Sequence, residues 1–259
     1  MSEIIFKGSR IHFSVEGQGE KMPLVLLHGF LEDSSIWEPI VKELQKERQI
    51  ICIDLPGHGK SEGLAKEHNM RLMAEVVREV LKALETQDIS IAGHSMGGYV
   101  SLEFLKNFPM MVKSIMLINS TPIDDTVERR KIRERSVKLV GKNKEAYISM
   151  AITNLFPKES KENFAKEIEN LESRAIKMNT ENVQAALIGM KNRMDYSEIL
   201  KNFSGQKIIA AGEQDPMIEI SQIEQISTLC NCEFYIMKNG HNSYIEDMNS
   251  LRTIKHFID

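Results

Sequence analysis

Along most of the chain, short apolar runs alternate with stretches in which apolar residues recur every three to four positions. Residues 3–7 and 11–16 alternate apolar and polar side chains. Gly8-Ser9-Arg10 joins them, which predicts an antiparallel hairpin with one covered face. Denser runs follow at 24–27, 50–53, 89–92, 115–118, 208–211 and 234–237. Near-continuous apolar runs of this length are the pattern of strands covered on both faces. Helical periodicity fills the gaps at 36–47, 70–84, 99–108, 218–229 and 244–258. Strand alternating with helix requires right-handed crossovers. The prediction is an α/β fold with an eight-stranded, mostly parallel sheet flanked by helices, the first pair antiparallel.

One segment breaks the rhythm. Residues 122–195 hold no strand-like run and read as helical throughout. They carry 15 Lys and Arg against 12 Asp and Glu, in a chain whose net charge is −4. No Gly/Ser linker flanks them. They are therefore expected to form a helical cap inserted into one domain, with 1–121 and 196–259 as its core. Scattered charge of slightly acidic balance gives no footprint for nucleic acid. No apolar run approaches the roughly 18 residues of a membrane span. The N-terminal Met-Ser-Glu has no basic head and apolar stretch of a secretory signal. Three cysteines, an odd count, make no disulfide framework. A reduced, cytoplasmic protein is the expectation.

The densest chemistry lies at Gly93-His94-Ser95-Met96-Gly97-Gly98, between a buried strand and a helix. Gly-x-Ser-x-Gly in that context is a nucleophile elbow. The turn is tight enough to need small residues on both sides, and it lifts the serine Oγ to a helix N-terminus. A serine needs a base to take its proton. His28, His58, His94 and His241 all fall at the carboxyl ends of strands, where ligands gather in open α/β sheets. His241 is the favoured base, because its loop is free to reach over the sheet whereas His94 is fixed beside Ser95. Asp215, one strand earlier, is the expected acceptor for the second ring N–H. Glu213 is its neighbour and competitor, and Asp54 and Asp124 are more remote. The backbone amides of Met96 and Phe30 are candidates for an oxyanion hole. Cys230-Asn231-Cys232 lacks the spacing of a zinc site, and no glycine loop points to a nucleotide. No metal or cofactor is expected.

With these residues in place, the chain resembles the α/β-hydrolase fold family. The resemblance covers Leu-His-Gly-Phe at 27–30, Asp-Leu-Pro-Gly-His-Gly-Lys-Ser at 54–61, the elbow at 93–98, Gly-Glu-Gln-Asp-Pro at 212–216 and Gly-His at 240–241. It implies Ser95 as nucleophile, Asp215 as acid, His241 as base and an oxyanion hole at Phe30 and Met96. It also implies that 122–195 is the family's cap and that His58 is architectural. A serine nucleophile sets the chain apart from the dehalogenase and epoxide-hydrolase branches, whose ester intermediate requires aspartate there.

The expected activity is hydrolysis of a carboxylic ester, or a related acyl compound, of small-molecule size through an acyl-Ser95 intermediate. Phe30, Leu155 and Phe156 are expected to line an apolar substrate pocket. Two alternatives stay open. The stretch from His28 to Trp37 with 54–59 also resembles the menaquinone-pathway synthases that eliminate pyruvate. Those have an arginine just after the Ser-x-Gly-Gly turn, where this chain has Tyr99. The other alternative is a non-catalytic ligand receptor on the same fold. Arg129, Arg130, Arg133 and Arg135 of the cap are the candidates to substitute for that arginine in holding substrate carboxylates, but the favoured expectation is that they form the solvated face of an amphipathic cap helix.

Overall fold

The computed structural model describes residues 2–247. Its strands are β1 (Ser2–Phe6), β2 (Ser9–Glu16), β3 (Lys21–Leu27), β4 (Arg48–Ile53), β5 (Ile89–His94), β6 (Val112–Ile118), β7 (Gln206–Gly212) and β8 (Glu233–Met237). Helices α1 (Glu38–Leu44), α2 (Met70–Ala83) and α3 (Met96–Asn107) connect β3 to β4, β4 to β5 and β5 to β6. Between β6 and β7 run α4 (Val127–Lys142), α5 (Lys144–Thr153), α6 (Ser160–Asn163), α7 (Ala165–Ala175), α8 (Thr180–Lys191) and α9 (Ser197–Asn202). Helix α10 (Ile220–Cys230) joins β7 to β8, and α11 (Ser243–Glu246) follows β8.

The eight strands form one sheet in the order β1-β2-β4-β3-β5-β6-β7-β8. Only β2 runs against the others: it is antiparallel to β1 and to β4, and the remaining pairs are parallel. The period-2 geometry of the strands splits their apolar side chains between two layers. Val25, Ile51, Ile91, Leu117 and Ile209 pack on one face with α2 and α3. Leu26, Cys52, Met116 and Ala210 pack on the other with Trp37, Leu44 and Tyr244. β3, β5 and β6 lie at the centre, so their carboxyl ends are the best-supported part of the sheet.

Two predicted helices shift at their starts. The one expected at 36–47 is a 3-10 turn over Ser34–Trp37 followed by α1, because Pro39 suits the first turn of a new helix. The one expected at 99–108 begins at Met96, since Gly97 and Gly98 are helical here. Only Ser243–Glu246 of the last predicted helix is helical among the described residues; the rest, from 248 onward, lies outside them. The strand-free excursion after β6 is built on α4, which packs on α8 and α5, with α5 on α7. It returns to the sheet layers at α9, which packs on α10 and α3. Just before α9, the Tyr196 hydroxyl donates to Glu103 Oε2 of α3 at 2.6 Å.

Candidate active site

Ser95 sits between β5 and α3 with φ +48° and ψ −111°, a conformation that costs a non-glycine residue about 1–3 kcal/mol. The surroundings hold it there. Its own N–H donates to Ile118 O at 2.9 Å, and its carbonyl accepts from the Gly98 N–H at 3.0 Å and from Ser120 Oγ at 2.8 Å. The helix that starts at Met96 presses against β3. A Cβ on Gly97 would stand 2.3 Å from the Leu27 carbonyl oxygen, so only glycine permits the approach.

Three loops at the carboxyl ends of β5, β7 and β8 bring the predicted triad together. Ser95 Oγ lies 2.9 Å from His241 Nε2, and His241 Nδ1 lies 2.8 Å from Asp215 Oδ2. A carboxylate can only accept, so Nδ1 carries the proton and Nε2 is left free to take the serine proton. Asp215 is anchored by other donors as well. Oδ1 accepts from the Met217 and Ile218 amides at 2.7 and 3.2 Å, and Oδ2 accepts from Asn119 Nδ2 at 3.0 Å. Burial alone would raise the pKa of this carboxyl; the His241 ring, Asn119 and the Met217 amide outweigh burial and hold it below the usual carboxylate range. Glu213 is exposed and bonds to none of these groups. Asp54 instead binds His12 Nδ1 at 3.0 Å, and Asp124 pairs with Arg130.

Asn119 was not legible as part of the site. It ends β6 at φ +46°, a left-handed conformation that Asn tolerates better than most residues. Its amide nitrogen donates both to Asp215 and to the Gly240 carbonyl at 3.1 Å, and Ser243 Oγ donates to its Oδ1 at 2.6 Å. One side chain thus ties the acid loop to the base loop. An asparagine directly after a buried strand was its only signal.

A second buried network lies behind the base. His94 Nδ1 is 2.9 Å from Glu32 Oε2, and His94 Nε2 is 2.9 Å from the carbonyl of His241. Both acceptors lack hydrogens, so both ring nitrogens must donate and His94 is an imidazolium. Burial opposes that charge, yet the Glu32 carboxylate and the His241 carbonyl override it and raise the pKa. Burial likewise opposes the charge on Glu32, but His94 and the Gly29 amide bring its pKa down to about 2. Glu32 also accepts from the Gly29 N–H at 2.6 Å and from Tyr244 Oη at 2.9 Å. It therefore braces the loop carrying Phe30, in which Leu31 is held at φ +64°. A Cβ on Gly29 would meet Glu32 Oε2 at 2.7 Å, which is why that position is glycine. Neither the Phe30 nor the Met96 amide donates to a protein acceptor among the described residues, as an oxyanion hole requires.

The Glu32–His94 pair should leave a mark on stability. The raised His94 pKa contributes below its unfolded value near 6.5 and is lost as pH rises through the folded one. The lowered Glu32 pKa contributes above about 4.3 and is lost as pH falls towards 2. Glu32→Gln should therefore destabilise the protein by about 3 kcal/mol, most strongly between about pH 4.5 and 6.5. Urea denaturation of both proteins from pH 4 to 9 measures it. A difference that stays flat or grows towards pH 9 would contradict the charge assignment.

A cavity of about 210 Å³ opens over Ser95 and His241, roofed by α4, α5 and α8. Phe30 and Leu155 line it, as expected. Phe156 does not: it is buried in the core, because the turn ending α5 points it inward. The arginine expectation also needs correction. Arg129 and Arg133 form part of the cavity wall, whereas Arg130 and Arg135 face solvent. Positions i and i+4 share a helix face, and on α4 that face is turned towards the sheet. His58 lies buried against the rings of His28 and Phe30, and burial lowers its pKa to about 3. A wider groove of about 750 Å³ opens between β2, α1 and α7, and neither Ser95 nor His241 lines it.

Residues 22–248 match the family model described as the alpha/beta hydrolase fold, and the chain belongs to that family. A thermophilic esterase from Thermogutta terrifontis, in a malate-bound form, superposes with a TM-score of 0.91 at 24% identity, over 99% of this chain and 97% of that one. Among curated proteins, a (E)-2-((N-methylformamido)methylene)succinate hydrolase from Acinetobacter baylyi is 32% identical over 42% of this chain and 40% of its own length. A pimeloyl-[acyl-carrier protein] methyl ester esterase from Nitrosomonas europaea is 33% identical over 43% of this chain and 42% of its own. The match thus spans less than half the length of these two curated relatives. Among the described residues, no helix is long and apolar enough to cross a membrane.

Proposed function

We propose that this protein is a serine hydrolase acting on a carboxylic ester or related acyl compound. The observation that carries the reading is the unbroken chain of hydrogen bonds from Ser95 Oγ through His241 to Asp215, at 2.9 and 2.8 Å, on the floor of the cavity roofed by α4, α5 and α8. In this reading Ser95 Oγ attacks the carbonyl carbon while His241 Nε2 takes its proton. The Phe30 and Met96 amides receive the negative oxygen, and losing one such donor typically costs about 10²–10³ in rate. His241 then protonates the departing alcohol, leaving an acyl-Ser95 ester. A water deprotonated by His241 attacks that ester, and collapse returns Ser95 and a carboxylic acid. The helices after β6 act as the cap that roofs this site.

The test is reaction with an activated fluorophosphonate, followed by intact-mass and peptide mass spectrometry. One adduct on Ser95 is expected, together with turnover of small esters. Labelling at another residue, or none on the folded protein, would remove the nucleophile assignment. Ester cleavage without any acyl-enzyme would favour Ser95 acting as a base, as in the lyase alternative.

A further inference from the structure

Three guanidinium groups converge on one buried carboxylate beside the cavity. Asp125, whose side chain is fully buried, pairs with Arg193 Nη1 at 2.7 Å, with Arg129 Nε at 3.5 Å and with Arg133 Nε. The terminal nitrogens of Arg193 are otherwise engaged by the Met190 and Ile123 carbonyls at 3.0 Å each, and its guanidinium lies 4.0 Å from the centre of the Tyr99 ring. Arg129 Nη1 donates to the Met217 carbonyl at 3.0 Å. Arg133 differs. Its side chain is only 12% exposed, yet Nη1 meets nothing better than the Met190 sulfur at 3.5 Å, and Nη2 has no protein acceptor among the described residues. Thioether sulfur is a weak acceptor. Met190 itself lines the cavity, so this end of the guanidinium lies at the cavity wall.

The charge balance has the same direction. One carboxylate faces three cations. The other carboxylate at the wall, Glu32, is neutralised by the His94 imidazolium and bonded to Tyr244 and Gly29. Asp124 is taken by Arg130 outside the cavity, and Glu134 by Lys191. Arg133 shares the single Asp125 carboxylate with Arg129 and Arg193, so this wall carries excess positive charge, and a ligand that supplies negative charge offsets it. With Nε fixed by Asp125, Arg133 presents its Nη1–Nη2 edge, the planar fork that takes a carboxylate in two parallel bonds.

Building on the reading of Ser95 as nucleophile, we propose that the substrate is a small ester bearing a free carboxylate, held by Arg133 with Arg129 beside it. A cavity near 210 Å³ is smaller than the roughly 300–1,000 Å³ typical of drug-sized ligands, so the whole molecule is compact. Short dicarboxylic half-esters fit both demands. The reaction is ester plus water giving acid plus alcohol: a half-ester yields diacid plus alcohol, and a carboxylate on the alcohol half yields acid plus hydroxy acid. In either case the remote carboxylate is unchanged and serves to orient the carbonyl over Ser95.

The experiment compares kcat/KM for monomethyl glutarate with that for methyl valerate, and for 3-acetoxypropionate with that for propyl acetate. The two pairs place the carboxylate on the acyl half or on the alcohol half. Wild type should favour at least one carboxylated member by on the order of 10², and Arg133→Gln should lose most of that ratio, chiefly through KM. Arg133→Lys should recover only part, since a lysine lacks the fork. Calorimetry with glutarate alone should show binding to wild type and none to folded Arg133→Gln. Equal turnover of both members of each pair, with no glutarate binding, would overturn the proposal. Failure of Ser95 to take up fluorophosphonate would instead overturn the nucleophile reading, and glutarate binding would still decide the anion site. If Arg133→Gln does not fold, protection of wild-type Ser95 from the fluorophosphonate by glutarate, but not by valeramide, supports the subsite; equal or absent protection overturns it.

Discussion

Ser95→Ala should lose about 10⁶ in kcat on any ester the protein turns over, the scale seen when the nucleophile of an unrelated serine hydrolase is removed. Its stability will be the more informative part. Ser95 is held at φ +48°, outside the region that a residue with a Cβ occupies comfortably. Alanine keeps the Cβ and so keeps the strain, whereas glycine does not. Ser95→Gly should therefore be equally inactive but more stable than Ser95→Ala by about 1 kcal/mol, after allowing for the greater unfolded-state freedom of glycine. In a chain of this size that corresponds to a melting temperature higher by roughly 2–4 °C. Calorimetric scans of the two variants, with fluorophosphonate uptake as a check, decide it. Equal melting temperatures would mean that the elbow stores no strain, and residual turnover near wild type would mean that Ser95 is not the nucleophile.

The parts of the site that were legible in the sequence are those fixed by the strand–helix rhythm. Ser95, Asp215 and His241 each stand just after a dense apolar run, and the sheet order places β5, β6, β7 and β8 side by side. The rhythm therefore located all three residues without any knowledge of distances. What it did not locate depends on side-chain direction across long sequence separations. Asn119 joins the acid and base loops through bonds to residues about a hundred positions away, and nothing local marks it. Glu32 reads as one more polar residue in a loop until His94, sixty-two positions on, is seen beside it. Arg129 and Arg133 follow the same logic. A charged stripe on a helix is usually solvated, and only the placement of α4 over Ser95 turns this one inward. Phe156 fails in the other direction, since apolar character alone cannot separate a cavity wall from the core packed behind it.

Asp215→Asn should lose about 10⁴ in kcat, the cost of the analogous change in a serine protease, while Glu213→Gln should lose little. The surroundings of Asp215 decide which way the new amide lies. The Met217 and Ile218 amides both donate to Oδ1, so the asparagine carbonyl oxygen must stay there to satisfy them. The NH₂ group then faces His241 Nδ1 and Asn119 Nδ2, where Oδ2 had accepted from both. A donor now confronts two donors. His241 can relieve its half only by accepting at Nδ1, which moves the ring proton to Nε2, the atom that must take the serine proton. Catalysis stops although the geometry is kept. Stability should report the same carboxylate. The Asp215 pKa is held below its ordinary value, so its contribution is complete above about pH 4 and is lost as pH falls through the folded pKa. The stability gap between wild type and Asp215→Asn should accordingly be constant near neutrality and close on acidification. Steady-state rates for both variants, with denaturation curves from pH 3 to 8, test both statements. A larger loss in Glu213→Gln than in Asp215→Asn would transfer the acid role to Glu213, and small, equal losses in both would point to a base that works without a third residue.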